Sequence, residues 1–170
     1  MWYVIQVGGG KERSACRLIE RFVPEDLMKE LFVPQYEIMR KRRGQWHACT
    51  ETLLPGYLFV ITSQPEKLAV ALRGVPAFTR LLGNNDMFTP LTDQEVAFVN
   101  AFTEPGRRVV RMSEGVIEGD EIVILKGPLM HQTGLIKKID RHKRLAYLEI
   151  QMLGRTKTVK VGLEIVRKHA

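Results

Sequence analysis

The chain has 170 residues, of which 26 are Lys or Arg and 19 are Asp or Glu, so its net charge at neutral pH is +7. Apolar residues make up 45% of it, and no apolar run approaches the ~18 residues that a membrane-spanning helix needs, which excludes a disordered chain and a transmembrane protein. Two cysteines cannot form a disulfide framework and are typical of a reducing compartment, so we expect a cytoplasmic protein without a secretory signal.

The first hundred residues alternate between strand and helix patterns. Short runs of β-branched and aromatic residues predict strands over residues 2–7, 31–39, 45–51, 57–61 and 77–82. The polar segment 40–44 is expected to be a loop or the tip of a hairpin.

Three helices are predicted between these strands. The first is indicated by an apolar stripe at helical spacing, formed by Ala15, Leu18, Ile19 and Phe22. The second covers residues 65–73, and the third follows Thr92, which forms a capping box with Glu95. The resulting order, β-α-β-β-α-β and then a helix, is that of a ferredoxin-like fold, in which helices cover an antiparallel sheet.

Helical periodicity disappears after Pro105. Turn residues separate short predicted strands over residues 121–126, 134–139, 145–152 and 157–161. Short, evenly spaced strands are typical of a small antiparallel barrel. The sequence therefore predicts an α+β chain with a ferredoxin-like domain over 1–105, a linker over 106–115 and an all-β barrel over 116–170.

The positive charge is concentrated in the predicted barrel. Residues 110–170 have a net charge of +5, against +2 for the longer segment 1–109, and the stretch 137–160 alone has +6. Clustered positive charge favours a polyanionic partner, most often nucleic acid. The alternative is a solvated basic face with no partner.

Signatures of enzymatic chemistry are missing from the sequence. The glycine turn at 8–11 lacks the spacing of a phosphate-binding loop, although a nucleotide-binding enzyme is kept as a minor alternative. His47 and Cys49 have no second pair of metal ligands nearby, and the four histidines are scattered. We expect no enzymatic activity, no cofactor and no bound metal.

Two sets of motifs carry a resemblance to a known family. Residues 2–6 (WYVIQ) and 54–60 (LPGYLFV) resemble the N-terminal, or NGN, domain of the NusG family of transcription elongation factors. Residues 118–124 (EGDEIVI), 134–136 (GLI) and 153–155 (LGR) resemble the KOW domain that ends these proteins, which is an SH3-like barrel. The motifs follow one another in the family's order over nearly the whole chain.

The resemblance implies that the NGN domain binds the clamp helices of the β′ subunit of RNA polymerase. It places Tyr57, Phe59 and Phe78 on the polymerase-facing surface, where the strand 57–61 would expose an aromatic patch. The alternative is that these aromatic residues belong to the core. Lys11, Arg13 and Arg17 lie where family members face upstream or non-template DNA, and a solvated helix face is the alternative reading there.

The KOW domain of a general NusG factor binds the Rho termination factor or a ribosomal protein. The basic barrel of this chain is more similar to LoaP-type paralogs, which prevent termination and recognise an RNA hairpin, whereas the helix-to-barrel switch of RfaH-type paralogs is not expected. The residues expected to bind RNA are Lys137, Lys138, Arg141, His142, Lys143, Arg144, Arg155 and Lys157. The sequence thus predicts a monomeric antitermination factor; the alternatives are a general NusG factor and, less favoured, a ribosomal-type KOW protein.

Overall fold

A computed structural model describes residues 1–84 and 87–166, which form two compact units. The first unit contains residues 1–34 and 54–97, and the second contains residues 35–53 and the chain from residue 98 onward. Asn85 and Asp86, which belong to a predicted turn, and residues 167–170 of the predicted barrel domain lie outside the described residues.

Fourteen strands and three helices are present in the described residues. The helices are α1 (Glu12–Phe22), α2 (Pro65–Leu72) and α3 (Asp93–Phe102), and short 3-10 turns cover Glu25–Leu27 and Thr133–Leu135. The strands are β1 (Trp2–Val7), β2 (Glu30–Phe32), β3 (Gln35–Arg42), β4 (Gln45–Thr52), β5 (Tyr57–Ile61), β6 (Thr79–Leu81), β7 (Gly83–Asn84), β8 (Met87–Phe88), β9 (Val109–Val110), β10 (Ser113–Glu118), β11 (Glu121–Lys126), β12 (Ile136–Asp140), β13 (Leu145–Met152) and β14 (Arg155–Ile165).

The first unit has the predicted ferredoxin-like arrangement. Its four-stranded sheet has the order β2-β5-β1-β6, and every neighbouring pair is antiparallel. One face of the sheet carries Ile5, Leu58 and Val60, which are almost completely buried together with Ile19 of α1 and Leu68 of α2. This core holds the two helices on one side of the sheet.

Local sequence signals locate several elements of this unit correctly and misplace others. The capping box is confirmed: the Thr92 N–H donates to Glu95 Oε1 at 2.8 Å, and the Glu95 N–H donates to Thr92 Oγ1 at 3.2 Å. The single strand expected over 31–39 is wrong, because the pairing breaks at Val33 and Pro34 and leaves two strands, β2 and β3. Phe22 is 48% exposed at the end of α1, so the predicted apolar stripe stops at Ile19.

The second unit is built on a five-stranded sheet with the order β11-β10-β14-β13-β12. Its strands alternate buried and exposed residues; β13 buries Leu148, Ile150 and Met152 against a core that includes Leu129 and Leu163. This curled sheet is consistent with the predicted SH3-like barrel, and the mixed α+β class of the chain is confirmed. Strands β9 and the start of β10 fall within the segment 106–115 that the sequence analysis treats as a linker.

The β3–β4 hairpin belongs to this second unit. It pairs over eight residues on each strand and turns at Arg43 and Gly44, whose φ angles are 49° and 77°. Positive φ at both central residues is typical of a type I′ hairpin turn, which suits glycine at the second position. Strand β14 lies against β3 so closely that a Cβ on Gly162 would overlap the backbone oxygen of Glu37.

None of the helices in the described residues has the length and apolar character needed to cross a bilayer.

Candidate protein and nucleic-acid interfaces

β5 is the strand that is predicted to face the polymerase, and its two aromatic residues, Tyr57 and Phe59, differ in exposure. Tyr57 is partly exposed at the start of the strand, where it lies opposite Gln6 of β1. Phe59 is completely buried, and its ring meets Phe32 edge-on at a centroid distance of 5.6 Å. The expected exposure of Phe59 is therefore wrong: the ring fills space inside an aromatic cluster that continues from Phe32 to Trp2.

Phe78 is largely exposed, in contrast to the buried Phe59. It follows α2 in the segment before β6, and 60% of its surface is exposed. Exposed phenylalanine is costly in water, and such residues often mark a contact surface for a partner. The structure thus leaves Tyr57 and Phe78 accessible among the three predicted aromatic residues.

The start of α1 carries the residues expected to face DNA. Lys11, Arg13 and Arg17 are all exposed. Arg13 and Arg17 are four residues apart on the helix, so they lie on the same face one turn from each other. Lys11 occupies the cap position, and its backbone oxygen accepts a hydrogen bond from the Ala15 N–H at 2.9 Å.

Glu12 follows Lys11 at the start of α1, and no pattern in the sequence predicts a role for it. Only 4% of it is exposed, and its Oε1 accepts hydrogen bonds from the Gly56 N–H at 2.8 Å and the Gly10 N–H at 3.1 Å. Burial raises the pKa of this carboxyl, but the N–H groups of Gly56, Gly10 and Glu12 itself outweigh it, so the pKa lies below its ordinary value. The ionised carboxylate therefore ties the turn before β5 to the start of α1.

Most of the predicted RNA-binding side chains are exposed on the second unit. The turn between β12 and β13 presents three of them, Arg141, His142 and Lys143, and is held by the Lys143 N–H, which donates to Asp140 Oδ1 at 2.9 Å. Arg144 ends the turn with a φ of 56° and is only partly exposed. The other predicted residues are the exposed Lys137, Lys138 and Arg155 and the partly exposed Lys157.

Residues that pair across three neighbouring strands bring two lysines close to one aromatic ring. Lys138 of β12 and Lys160 of β14 both pair in register with Tyr147 of β13. Their ammonium nitrogens lie 5.5 and 6.0 Å from the centroid of the Tyr147 ring. The sequence predicts an RNA-binding role for Lys138 but none for Tyr147 or Lys160. The signal that joins all three is the register of the paired strands, which places them side by side.

Arg155 is separated from this group. It follows the Leu153–Gly154 turn at the far end of the β13–β14 hairpin and pairs with Met152, whereas the turn at 141–144 lies at the other end of β13. A strand rises about 3.3 Å per residue, so the eight residues of β13 place the two ends about 20 Å or more apart. The predicted basic set therefore does not form one compact site.

The β3–β4 hairpin contributes further cations to the second unit. Its tip carries four basic residues in a row, namely Arg40, Lys41, Arg42 and Arg43, all of them exposed. The Arg144 guanidinium lies 3.9 Å from the centroid of the Trp46 ring on β4, and it also pairs with Glu164 at 3.6 Å. The sequence predicts a loop or hairpin tip over 40–44 but no RNA-binding role for its cations, because nothing in the chain order shows that the hairpin meets the barrel.

No group of three or more His, Cys, Asp or Glu side chains within residues 1–84 and 87–166 is arranged to hold a metal ion.

Comparison with known proteins identifies the relatives of this chain. A family model described as "Transcription termination factor nusG" matches residues 1–100. The transcription termination/antitermination protein NusG of Campylobacter jejuni is 25% identical over 171 residues, which cover 98% of this chain and 96% of that protein. The protein of the same name from Helicobacter pylori J99 is 24% identical over 173 residues and is matched over 98% of this chain and 97% of its own length. A solved structure described as "Domain interaction in Thermotoga maritima NusG" has the same fold, with a TM-score of 0.57 at 19% identity over 95% of this chain and 92% of that chain.

Proposed function

The chain belongs to the NusG family of transcription termination/antitermination factors, and from this premise we propose that it is an elongation and processive antitermination factor that binds both RNA polymerase and nascent RNA. Residues 1–105 serve as the polymerase-binding NGN domain, and residues 116–170 serve as the RNA-binding KOW domain. The factor is a cytoplasmic monomer without enzymatic activity. Two linked contacts raise the effective concentration of each partner, so neither needs to be tight alone.

The polymerase contact is assigned to the surface that carries Tyr57 and Phe78. Both aromatic side chains are accessible, and Phe78 exposes 60% of its surface. Phe59 is completely buried against Phe32, so it has no part in this contact. The polymerase partner is the pair of β′ clamp helices, and Lys11, Arg13 and Arg17 then face non-template or upstream DNA.

The RNA contact rests on one observation, which is the concentration of exposed cations on β12 and in the turn that follows it. Lys138, Arg141 and Lys143 present their charges to solvent within a few residues of one another. Each phosphate that such a cation neutralises releases condensed counterions, which favours binding and makes it salt-dependent. A hairpin offers both a backbone for these charges and unpaired loop nucleotides for specific contacts, so we assign a nascent RNA hairpin as the partner.

The polymerase contact is tested by the double substitution Tyr57→Ala and Phe78→Ala in the full chain. We expect this variant to stop co-eluting with bacterial core RNA polymerase in gel filtration while its circular dichroism spectrum stays unchanged. The matched control is Val70→Ala on α2, because Val70 is also 60% exposed and lies outside the proposed surface. Co-elution of the folded double variant at the level of the control would contradict the assignment.

The RNA contact is tested by reversing the charges of Lys138, Arg141 and Lys143 together. Arg144 is left intact because it pairs with Glu164 and stacks on Trp46, so its loss would also disturb the structure. We expect weaker binding of an RNA hairpin and a slope of log K against log salt that is less steep by about 2–3, since each phosphate contact contributes about 0.7–0.9. A triple reversal in the first unit, at the exposed Lys29, Lys67 and Arg73, is the matched control.

A second candidate function is favoured by exposed apolar side chains on β11. Val123 and Leu125 lie two residues apart on this strand and expose 38% and 49% of their surfaces. Neighbouring apolar side chains on one strand face suit a protein partner better than RNA. A general NusG factor would use this surface to bind Rho or a ribosomal protein, and unchanged RNA affinity after the charge reversal would favour that function.

A further inference from the structure

A cleft opens in the second unit where the β3–β4 hairpin meets strands β13 and β14 and the turn before β13. Its volume is about 480 Å³, within the range of about 300–1,000 Å³ that is usual for small-ligand sites. The side chains that matter for its chemistry are Lys41, Arg42, Trp46, Lys143, Tyr147 and Lys160. The cleft is therefore large enough for a nucleotide and is lined by both cations and aromatic rings.

The charge of the cleft is positive on both of its sides. Lys41 and Arg42 come from the hairpin, Lys143 from the turn and Lys160 from β14, and all four are exposed. The acidic residue of the lining, Glu51, is already bound, because its carboxylate pairs with Arg40 and accepts a hydrogen bond from the Tyr36 hydroxyl at 2.7 Å. Its negative charge is thus compensated within the wall of the cleft.

The aromatic lining is of the kind that binds unpaired bases. Tyr147 is partly exposed, and the ammonium nitrogens of Lys138 and Lys160 lie 5.5 and 6.0 Å from the centroid of its ring. Trp46 forms the hairpin side, where the Arg144 guanidinium stacks over it and joins the hairpin to the barrel. Aromatic faces interleaved with Lys and Arg are the common design of single-stranded nucleic-acid sites, because the rings stack on bases while the cations bind the flanking phosphates.

We propose that this cleft binds an unpaired nucleotide of the RNA hairpin, with the base stacked on Tyr147 and the flanking phosphates held by Lys41 and Arg42 on one side and Lys143 and Lys160 on the other. This inference rests on the proposed RNA-binding function and deepens it. The β3–β4 hairpin is then part of the RNA site. Because only an unpaired base enters the cleft, the cleft would make the protein bind a hairpin loop in preference to a continuous duplex.

The close approach of the hairpin to the barrel supports a preformed cleft. Gly162 of β14 has no side chain, and a Cβ at this position would overlap the backbone oxygen of Glu37 on β3. The Leu163 N–H also donates to the Arg144 oxygen at 2.9 Å, which fixes the residue that stacks on Trp46. A site whose walls are held in this way loses little conformational freedom when RNA binds.

The test compares two substitutions of the same ring in the full chain. The probe is an RNA hairpin that carries a fluorescent adenine analogue in its loop, and a fully paired RNA duplex serves as the reference ligand. We expect Tyr147→Ala to weaken hairpin binding by roughly tenfold or more, the loss that one base–aromatic stack commonly accounts for. Tyr147→Phe keeps the ring and should bind as the wild type does, and neither substitution should change affinity for the duplex.

A second variant tests the hairpin wall without touching the barrel. Lys41→Glu with Arg42→Glu should weaken hairpin binding and lower its salt slope, whereas a double reversal at Lys29 and Lys67 should not. This pair also keeps the proposal testable if Tyr147→Ala unfolds the barrel. Hairpin affinity that survives both the Tyr147 and the Lys41–Arg42 substitutions would overturn the cleft, as would equal losses for hairpin and duplex.

The triple reversal at Lys138, Arg141 and Lys143 separates this inference from the proposed function. If that variant loses RNA while the Lys41–Arg42 and Tyr147 variants retain it, the cleft is wrong and the RNA-binding function stands. If the triple variant itself retains full RNA affinity, the RNA-binding function fails and the cleft fails with it.

Discussion

The buried carboxylate of Glu12 offers a quantitative test of how the first unit is held together. Its Oε1 accepts two backbone hydrogen bonds, from Gly56 and Gly10, and removing it leaves both N–H donors without this acceptor. A hydrogen bond to a charged group contributes about 1.5–3 kcal/mol, and Gly10 is exposed enough for water to replace part of its share. We therefore expect Glu12→Ala to destabilise the protein by about 2–4 kcal/mol, and Glu12→Gln, which keeps a neutral acceptor, by about 1–2 kcal/mol.

The effect of Glu12→Gln should depend on pH in a defined direction. Burial alone raises the pKa of Glu12, but the N–H groups of Gly56, Glu12 and Gly10 lower it below the ordinary glutamate value. A carboxyl whose pKa is lowered by folding stabilises the protein above its unfolded pKa of about 4.3, and this contribution is lost as the pH falls through the folded pKa. The difference between wild type and Glu12→Gln should thus be full near neutral pH and shrink in acid.

Urea unfolding followed by circular dichroism, near neutral pH and in acid, measures this difference in the free energy of unfolding directly. Arg13→Gln, an exposed neighbour on the same turn, is the control for general effects at the start of α1. Equal stability of Glu12→Gln and wild type at neutral pH, or a difference that persists unchanged in strong acid, would refute the reasoning.

Three further predictions concern packing within the two units. Phe59→Ala should destabilise the protein by about 3–5 kcal/mol in urea unfolding, because it empties a fully buried site; a loss below about 1 kcal/mol would mean that the ring is not a core residue. Partial burial, and then the charge of Glu20, raises the pKa of the Cys16 thiol to about 12. In a Cys49→Ser variant, iodoacetamide should therefore alkylate Cys16 much faster in the unfolded chain than in the folded one at about pH 8.5, and similar rates would contradict the raised pKa. Gly162→Ala should lower the unfolding temperature and weaken hairpin RNA binding together, because its Cβ displaces β3 from β14; unchanged stability would show that the hairpin does not lie against the barrel.

The elements that the sequence located correctly are those with strong local signals. Strand β5 and the capping box at Thr92 are confirmed because alternation and cap chemistry act within a few residues. The break between β2 and β3 was missed although Pro34 marks it, because the apolar run from 31 to 39 masks the loss of pairing. Glu12 was missed because its main partner, Gly56, is 44 residues away in the chain.

The candidate RNA site also combines features that are visible in the sequence with contacts between residues that are distant in the chain. Charge clustering on 137–144 is visible in the sequence because those residues are neighbours in the chain, and the family resemblance was confirmed by comparison. The partnership of Trp46 with Arg144 joins residues almost a hundred positions apart and depends on how the hairpin folds onto the barrel. Likewise, the burial of Phe59 depends on Phe32 of another strand, and strand alternation alone cannot decide between core and surface.

The affinity of the full chain for an RNA hairpin, a single-stranded RNA and a DNA duplex across a salt series tests the proposed function most directly. Hairpin binding should be the tightest of the three and persist near physiological salt, since the loop adds base contacts to the phosphate contacts that salt weakens. Binding that is equally weak for all three ligands and fades in parallel with salt would contradict it, because the basic surface would then act as a nonspecific polyanion site.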